Sequence, residues 1–165
     1  YMPLEKGNKW TYSVRAGFLS RVEDLSVTRS ISVADVQGWE VSGSMGNSRI
    51  AWKEGTLLIE DLPGTRLSPA IPILFGDSVK TSAKWSGIAK TLSGSREATA
   101  DIVQAKDTVT IGGRTYETKR SEITLRGLGA PIILTTWFNE GTGMLRQEQR
   151  VGDQLVRSME YLAGP

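Results

Sequence analysis

Apolar and polar side chains alternate strictly in the segment that best predicts the architecture, Lys9-Trp10-Thr11-Tyr12-Ser13-Val14-Arg15. Successive side chains of a β-strand point to opposite faces, so this pattern places Trp10, Tyr12 and Val14 on one buried face. The same alternation returns in Leu25–Val33 and, after Gly-containing turns, along most of the chain. The sequence therefore predicts a succession of strands that each bury one face.

Short turns separate the predicted strands. Gly112-Gly113 and Gly152-Asp153 are turn pairs that tolerate positive φ, and both predict tight hairpins. No convincing helix is predicted, since residues 20–25 and 101–106 offer one helical turn each at most. The predicted strands span residues 9–15, 25–33, 39–42, 49–52, 56–59, 77–85, 87–92, 96–104, 108–111, 114–125, 132–138, 143–151 and 154–162.

Many consecutive antiparallel strands expose unpaired edges unless the sheet closes, curls or is covered. We expect an all-β fold in which residues 1–165 form a single β domain. The predicted architecture is one strongly curved antiparallel sheet, an open or half barrel with little or no helix.

Two apolar segments interrupt the alternation, Leu67–Phe75 and Gly127–Leu134. Both contain proline, which lacks a backbone donor and so disfavours a central strand. Each segment is expected to be an apolar crossover or flap that leads into a strand. Two roles are open: the segments plug the ends of the barrel, which we favour, or they line the mouth of an apolar pocket.

The composition excludes several kinds of chemistry. The chain has no Cys and no His, which rules out disulfides, thiol nucleophiles, zinc sites built on these residues and triads that use imidazole. The acid pairs Glu23-Asp24 and Glu60-Asp61 leave a carboxylate-based hydrolase as a remote alternative, but adjacent strand residues point to opposite faces. No cofactor or metal motif is present, and we expect a protein that is not an enzyme.

Charge and hydropathy give no sign of nucleic-acid binding or of a membrane span. The net charge is +2, from 20 basic and 18 acidic residues, and Lys and Arg are scattered rather than clustered. No apolar run approaches the length of a membrane-spanning helix. Arg29 lies on an otherwise apolar face, where it either pairs with an acid at the sheet margin, the commoner case, or lines a cavity.

The five Trp residues allow two interpretations. They could stack on sugars or bases, but each lies inside a predicted strand, so packing in the core is favoured for most of them. Trp85, which precedes a turn, is the one most expected to be partly exposed.

Three motifs resemble a group of exported bacterial proteins and lipoproteins. Residues 1–12 resemble their "Y-x-P-L-x-x-G-N-x-W-x-Y" start, residues 109–116 their "v-x-v-x-x-G-x-[YF]" hairpin, and residues 137–148 their "W-[YF]-x-x-G-x-G-[LM]-[VL]-[KR]-x-E" ending. Asn139-Glu140 departs from a common Ala-Pro pair, which affects only a turn. This group is similar to DUF3108-like domains and to half-barrels of the LolA, LolB and LppX type. The resemblance implies a curved sheet around an apolar interior, and it carries over no catalytic residue.

These observations together predict a non-enzymatic cell-envelope domain that binds an apolar ligand, such as a lipid or an acyl chain, in a half-barrel. The alternative is a solid-cored structural or protein-interaction module of a bacterial lipoprotein, whose partners would be envelope proteins. The expected location is the periplasm or cell surface, with lipid anchoring through a removed segment upstream of Tyr1. The predicted ligand-binding residues are Ile73, Phe75, Trp85, Ile132, Leu134 and Trp137.

Overall fold

The regular secondary structure of the described residues consists of strands. The computed structural model describes residues 1–44, 46–76 and 80–165, and no helix occurs among them. The strands are β1 (Lys9–Ala16), β2 (Leu19–Val33), β3 (Val36–Gly43), β4 (Gly46–Lys53), β5 (Thr56–Leu62), β6 (Thr65–Leu74), β7 (Ser82–Thr91), β8 (Gly94–Ile111), β9 (Arg114–Arg126), β10 (Ile132–Asn139), β11 (Gly143–Val151) and β12 (Gln154–Ala163).

The strands form a closed barrel of twelve, not the open or half barrel that the sequence predicts. Each strand pairs antiparallel with the next, and β1 also pairs with β12 from Thr11↔Ala163 to Arg15↔Ser158. Closure has a simple physical reason, because pairing the first and last strands satisfies the backbone groups that two open edges would leave exposed. The alternation of apolar and polar residues indicates which face of the sheet a side chain occupies. It carries no information on whether the first and last strands of the sheet pair with each other.

Two pairs of predicted strands are each one strand in the structure. The strands predicted at residues 77–85 and 87–92 both fall on β7, which begins at Ser82. Of the first prediction, Asp77, Ser78 and Val79 lie outside the described residues. The predictions at 96–104 and 108–111 join into β8. Residues 20–25 and 101–106, which could have held a helical turn, are strand residues in β2 and β8. The Gly112-Gly113 hairpin is confirmed, with positive φ at both glycines.

The proline-containing segment Leu67–Phe75 is mostly strand β6 rather than a crossover. β6 pairs with β7 only as far as Ser68, and beyond that point it contacts β8 and β9. Pro69 and Pro72 lie beyond the separation and lack the N–H donors that further pairing would use. The indole of Trp85 fills the resulting gap and donates to the Pro69 carbonyl oxygen at 3.0 Å.

The two ends of the barrel differ. The turns that follow β1, β3, β5, β7, β9 and β11 lie at one end, here named the mouth end. The remaining turns and the N-terminal residues 1–8 lie at the other, the floor end. Between them, the side of the interior next to β6–β9 is filled by buried apolar side chains such as Ile71, Phe75, Ile102 and Ile123. The side next to β2–β5 and β10–β12 contains open space.

Candidate functional site

A cavity of about 610 Å3 occupies that side of the barrel. Its wall is mostly apolar, with Val41, Ile50 and Ile59 on one side and Leu134, Met144 and Met159 on the other. It opens at the mouth end, where exposed residues of the turns after β3, β5 and β7 contribute to its lining. A cavity of this size lies within the range of about 300–1,000 Å3 that is typical of small-molecule sites.

The N-terminal segment closes the floor of this cavity. Met2 is buried and lines the cavity, and its carbonyl oxygen accepts a hydrogen bond from the Trp52 indole at 3.0 Å. Asn8 Nδ2 donates to the Pro3 carbonyl oxygen at 2.8 Å, which folds the segment back on itself. The Trp10 indole donates to the Thr142 carbonyl oxygen at 2.9 Å. Residues 1–8 therefore act as a plug, which the Trp52 indole on β4 holds through the Met2 carbonyl oxygen.

A charged group interrupts the apolar wall near the mouth end. Glu23 and Arg157 both line the cavity, and Arg157 Nη2 donates to Glu23 Oε2 at 3.2 Å. Glu23 Oε1 lies 2.7 Å from Arg21 Nη2 without a well-oriented hydrogen bond, so that contact is mainly electrostatic. The Glu23 side chain is only 3% exposed and that of Arg157 13%. Burial lowers the pKa of Arg157; Glu23 opposes that shift and Arg21 adds to it.

The predicted ligand-binding residues divide into three groups. Ile73 and Leu134 line the cavity. Phe75 and Trp85 are buried on the filled side of the interior, and Ile132 packs against the same core while remaining partly exposed. Trp137 projects from the outer face of the barrel, where it is paired with Arg120 on β9 and with Arg146 on β11. Trp85 is more buried than expected, since the gap between β6 and β7 receives its indole.

The two apolar segments, Leu67–Phe75 and Gly127–Leu134, occupy different positions in the barrel. The first runs the length of the wall, with Ile73 facing the cavity and Phe75 buried beside it. The turn at the start of the second, residues 127–131, lies at the mouth end, and Leu134 in β10 is the part that reaches the cavity. Neither segment caps the cavity, whose floor is closed by residues 1–8.

Trp137 makes a polar contact on the outer surface instead. Its indole donates to Asp107 Oδ2 at 2.9 Å, and the Arg120 guanidinium lies 3.2 Å from the same oxygen. Asp107 Oδ1 accepts from the Thr108 amide at 2.8 Å. The hydrogen bond from Trp137, followed by the one from Thr108, lowers the pKa of the Asp107 carboxyl below its ordinary 3.8.

We expect Asp107→Asn to reduce the free energy of unfolding by about 1 kcal/mol at pH 7, a small value because solvent screens this surface group. A carboxyl whose pKa is lowered on folding contributes stability above its ordinary pKa and loses that contribution as the pH falls through the lowered value. The difference between wild type and variant should therefore shrink below pH 3.8. Urea unfolding across a pH series measures it, with Asp153→Asn in the exposed β11–β12 turn as the control. A difference that stays constant down to acid pH contradicts this role for Asp107.

Sequence reasoning missed the charged group in the cavity wall. The sequence pattern predicts a strand from Leu25, whereas β2 begins at Leu19. Extending the same period two backwards from Leu25 places Glu23 and Arg21 on the inward face, as their pairing with Tyr12 and Val14 shows. The signal was therefore present. Arg29, by contrast, pairs with Glu40 at 2.9 Å on the exposed surface, the commoner of the two alternatives, because a bulge in β2 shifts its face.

The site offers little for acid–base chemistry. Among the described residues, no group of three or more Asp or Glu side chains is placed to hold a metal ion. The cavity carboxylates are both engaged, Glu23 with Arg157 and Asp61 with Arg66 at 3.0 Å. Burial raises the pKa of Tyr12, and Tyr161 adds to the effect, while the Tyr12 hydroxyl donates to the Met144 carbonyl oxygen at 2.8 Å. These groups are held in structural contacts.

The barrel has counterparts among solved structures. A candidate lipoprotein from Parabacteroides distasonis aligns with a TM-score of 0.61 at 11% identity, over 99% of this chain and 97% of its own. A candidate exported protein with a YmcC-like fold from Bacteroides fragilis aligns with a TM-score of 0.59 at 10% identity, over 100% and 98%. The hypothetical lipoprotein YmcC from Escherichia coli gives 0.51 at 15% identity, over 94% and 84%. This chain shares the YmcC-like fold.

The YmcC-like fold is what these similarities establish, because identities this low carry no information on ligands or activity. No protein-family profile matches the chain, and no curated protein gives a significant match. The resemblance to DUF3108-like domains and to proteins of the LolA, LolB and LppX type stays a prediction. No helix among the described residues has the length and hydropathy needed to cross a bilayer.

Proposed function

We propose that this protein is a non-enzymatic cell-envelope domain that binds an apolar ligand, such as a lipid or acyl chain, inside the barrel. The observation that carries the proposal is the cavity of about 610 Å3, apolar in most of its wall and open at the mouth end. A barrel whose interior served packing alone would fill this space, since protein cores pack to the density of organic crystals.

Burial of hydrocarbon supplies the binding energy in this proposal. Each methylene of an acyl chain that leaves water contributes about 0.8 kcal/mol, so a chain of moderate length needs no specific polar contact to bind. Ile73 and Leu134, which were predicted from sequence, are the proposed contacts to such a chain, together with Ile50 on β4 and Met159 on β12.

The proposed location is the bacterial envelope, either the periplasm or the cell surface, with a lipid anchor on a segment that precedes Tyr1. Two proteins of the same fold are described as lipoproteins and one as exported, which supports this location. The lead-in motif of residues 1–12 supports it independently.

Binding is tested with protein purified without detergent. We expect organic extraction followed by mass spectrometry to release an apolar compound, and the delipidated protein to raise the fluorescence of the neutral dye N-phenyl-1-naphthylamine with a saturable curve. The dye should report the cavity because its rings are apolar and uncharged. If no ligand can be extracted and the dye gives no saturable fluorescence, the proposal is contradicted.

A second candidate function has its own observation. Phe18 and Leu92 are fully exposed at the tips of two mouth-end turns, and Leu19 beside Phe18 is 70% exposed. Exposed apolar tips favour contact with another macromolecule. This is the interaction-module alternative, which predicts that envelope proteins co-purify and that replacing Phe18 and Leu19, which do not line the cavity, with Ser abolishes their capture while leaving dye binding unchanged.

A further inference from the structure

The charges in the cavity wall are paired. Two ion pairs line the cavity, Arg157 with Glu23 at 3.2 Å and Arg66 with Asp61 at 3.0 Å. Lys90, the other charged residue of the described lining, is exposed to solvent at the mouth end. A ligand head with a net charge therefore meets both signs in the wall. Neither an anion nor a cation gains a net attraction from such pairs.

The pair of Glu23 and Arg157 is the more buried of the two, and it is incompletely hydrogen-bonded. Glu23 Oε2 accepts from Arg157, whereas Oε1 is buried without a hydrogen-bond donor among the described residues. Arg21 Nη2 lies 2.7 Å from Oε1, but Arg21 is half exposed, lies outside the cavity lining and donates to Ser44 Oγ at 3.4 Å. The Glu23 carboxylate thus keeps the capacity to accept a further hydrogen bond.

Stability alone gives no reason for an ion pair at this position. Replacing a buried pair by well-packed apolar residues is often neutral or stabilising. A buried polar atom without a partner also costs free energy, which a donor would recover. A ligand that supplies the donor gives the pair of Glu23 and Arg157 a role that packing does not.

The pair lies at the end of the cavity where a ligand head would sit. Glu23 and Arg157 are close to the mouth-end termini of β2 and β12. The floor end is lined by Met2, Phe138 and Met144. A ligand that fits this gradient has a hydrocarbon tail towards the floor and a polar head towards the mouth.

We propose that the ligand is an amphiphile with one hydrocarbon chain and an uncharged head that carries a hydroxyl group. The hydroxyl donates to the Glu23 carboxylate and accepts from the Arg157 guanidinium, so one small group uses both members of the pair. This inference rests on the proposed function and narrows its ligand class. The shared chemistry is a free hydroxyl on an alkyl chain, which a long-chain alcohol and a monoacylglycerol both provide. An ionised amphiphile binds through its chain alone.

The test measures displacement of N-phenyl-1-naphthylamine by ligands with matched dodecyl chains, below their solubility limits. Dodecan-1-ol should bind about tenfold more tightly than 1-methoxydodecane, because the hydroxyl donates to a charged acceptor and the ether has no donor. Partition into an apolar space alone gives the opposite order, since the alcohol is the more polar molecule. 1-Dodecanoylglycerol should also bind, and the tighter of the two hydroxyl ligands identifies the source of the head.

Glu23→Gln assigns the recognition to the wall. It leaves the charge of Arg157 without its carboxylate, so dodecanoate, which is ionised at pH 7, should bind at least about tenfold more tightly than it binds the wild type. Glu160→Gln is the matched control, because Glu160 pairs with Arg146 at 2.9 Å on the outer face of β12 and β11. It should leave the affinity for dodecanoate unchanged.

A double variant keeps the test decisive if Glu23→Gln does not fold. Glu23→Leu combined with Arg157→Leu replaces the ion pair by apolar side chains, a change that buried pairs often tolerate. This variant should bind 1-methoxydodecane at least as tightly as dodecan-1-ol, because the hydroxyl no longer has a partner in the wall.

The outcomes separate this inference from the proposed function. If the wild type binds dodecan-1-ol no more tightly than 1-methoxydodecane, the inference is overturned and the proposed function remains. Failure of the dye and of every amphiphile to bind would overturn both. An unchanged affinity for dodecanoate in folded Glu23→Gln, or a preference for the alcohol that survives in the double variant, would contradict the assignment to Glu23 and Arg157.

Discussion

Trp10→Ala is expected to lower the free energy of unfolding by about 4 kcal/mol, in the upper range for truncation of a buried aromatic side chain. Trp10 is fully buried on β1, the strand that closes the barrel against β12. Its removal leaves a void and also deprives the Thr142 carbonyl oxygen of its indole donor. Chemical denaturation followed by circular dichroism measures the loss.

Phe18→Ala is the control for that experiment, since Phe18 is fully exposed and its truncation should change stability by less than about 0.5 kcal/mol. If Trp10→Ala does not fold, Trp10→Phe keeps most of the buried area and should cost a smaller, measurable amount. Losses of similar size for Trp10→Ala and Phe18→Ala would contradict the position assigned to Trp10.

Val41→Phe is expected to weaken binding of N-phenyl-1-naphthylamine by about thirtyfold while leaving stability unchanged or higher. Val41 is buried in the cavity wall on β3, and a phenyl ring there occupies the space that the dye needs. Excluding two or three carbons of ligand costs about 2 kcal/mol of burial, which corresponds to that change in affinity. Filling a cavity commonly stabilises a protein, so lost binding would not reflect unfolding.

Val103→Phe is the matched control for the cavity variant. Val103 lies on the outer face of β8 and is 54% exposed, so the same substitution there adds a ring to solvent. Dye affinity in this variant should equal that of the wild type. Equal affinity in Val41→Phe, with the protein folded, would show that the dye binds outside the barrel.

The sequence correctly predicted which strand side chains point inward, but it did not predict that the sheet closes into a barrel. The inward positions of Trp10, Tyr12 and Val14 followed from side-chain alternation alone, and all are buried. Closure between β1 and β12 could not follow, because backbone pairing at the two termini depends on how far the sheet coils over all its strands. The strand β6 was missed because its prolines argue against pairing, and it pairs with β7 over only its first residues.

Only some of the residues predicted from sequence to lie at the site line the cavity. Ile73 and Leu134, from the two apolar segments that could line the mouth of a pocket, both line the cavity, and their role in binding stays a prediction. Trp137 was placed near the pocket from its chemistry, although its strand parity puts it on the outer face with Arg146. Met2 was missed because the plug formed by residues 1–8 is a long-range contact that no local pattern encodes. The pair of Glu23 and Arg157 was missed because the predicted strand began at Leu25, although the alternation extended to Leu19 places Glu23 on the inward face.

The central claim is that the cavity of the barrel binds a hydrocarbon chain. A crystal structure of the protein with 16-bromohexadecanoate tests it most directly. The proposed function predicts an anomalous bromine peak inside the barrel, within the cavity lined by Met2, Leu134 and Met159. Bromine only on the outer surface, or an interior filled by side chains, would contradict it.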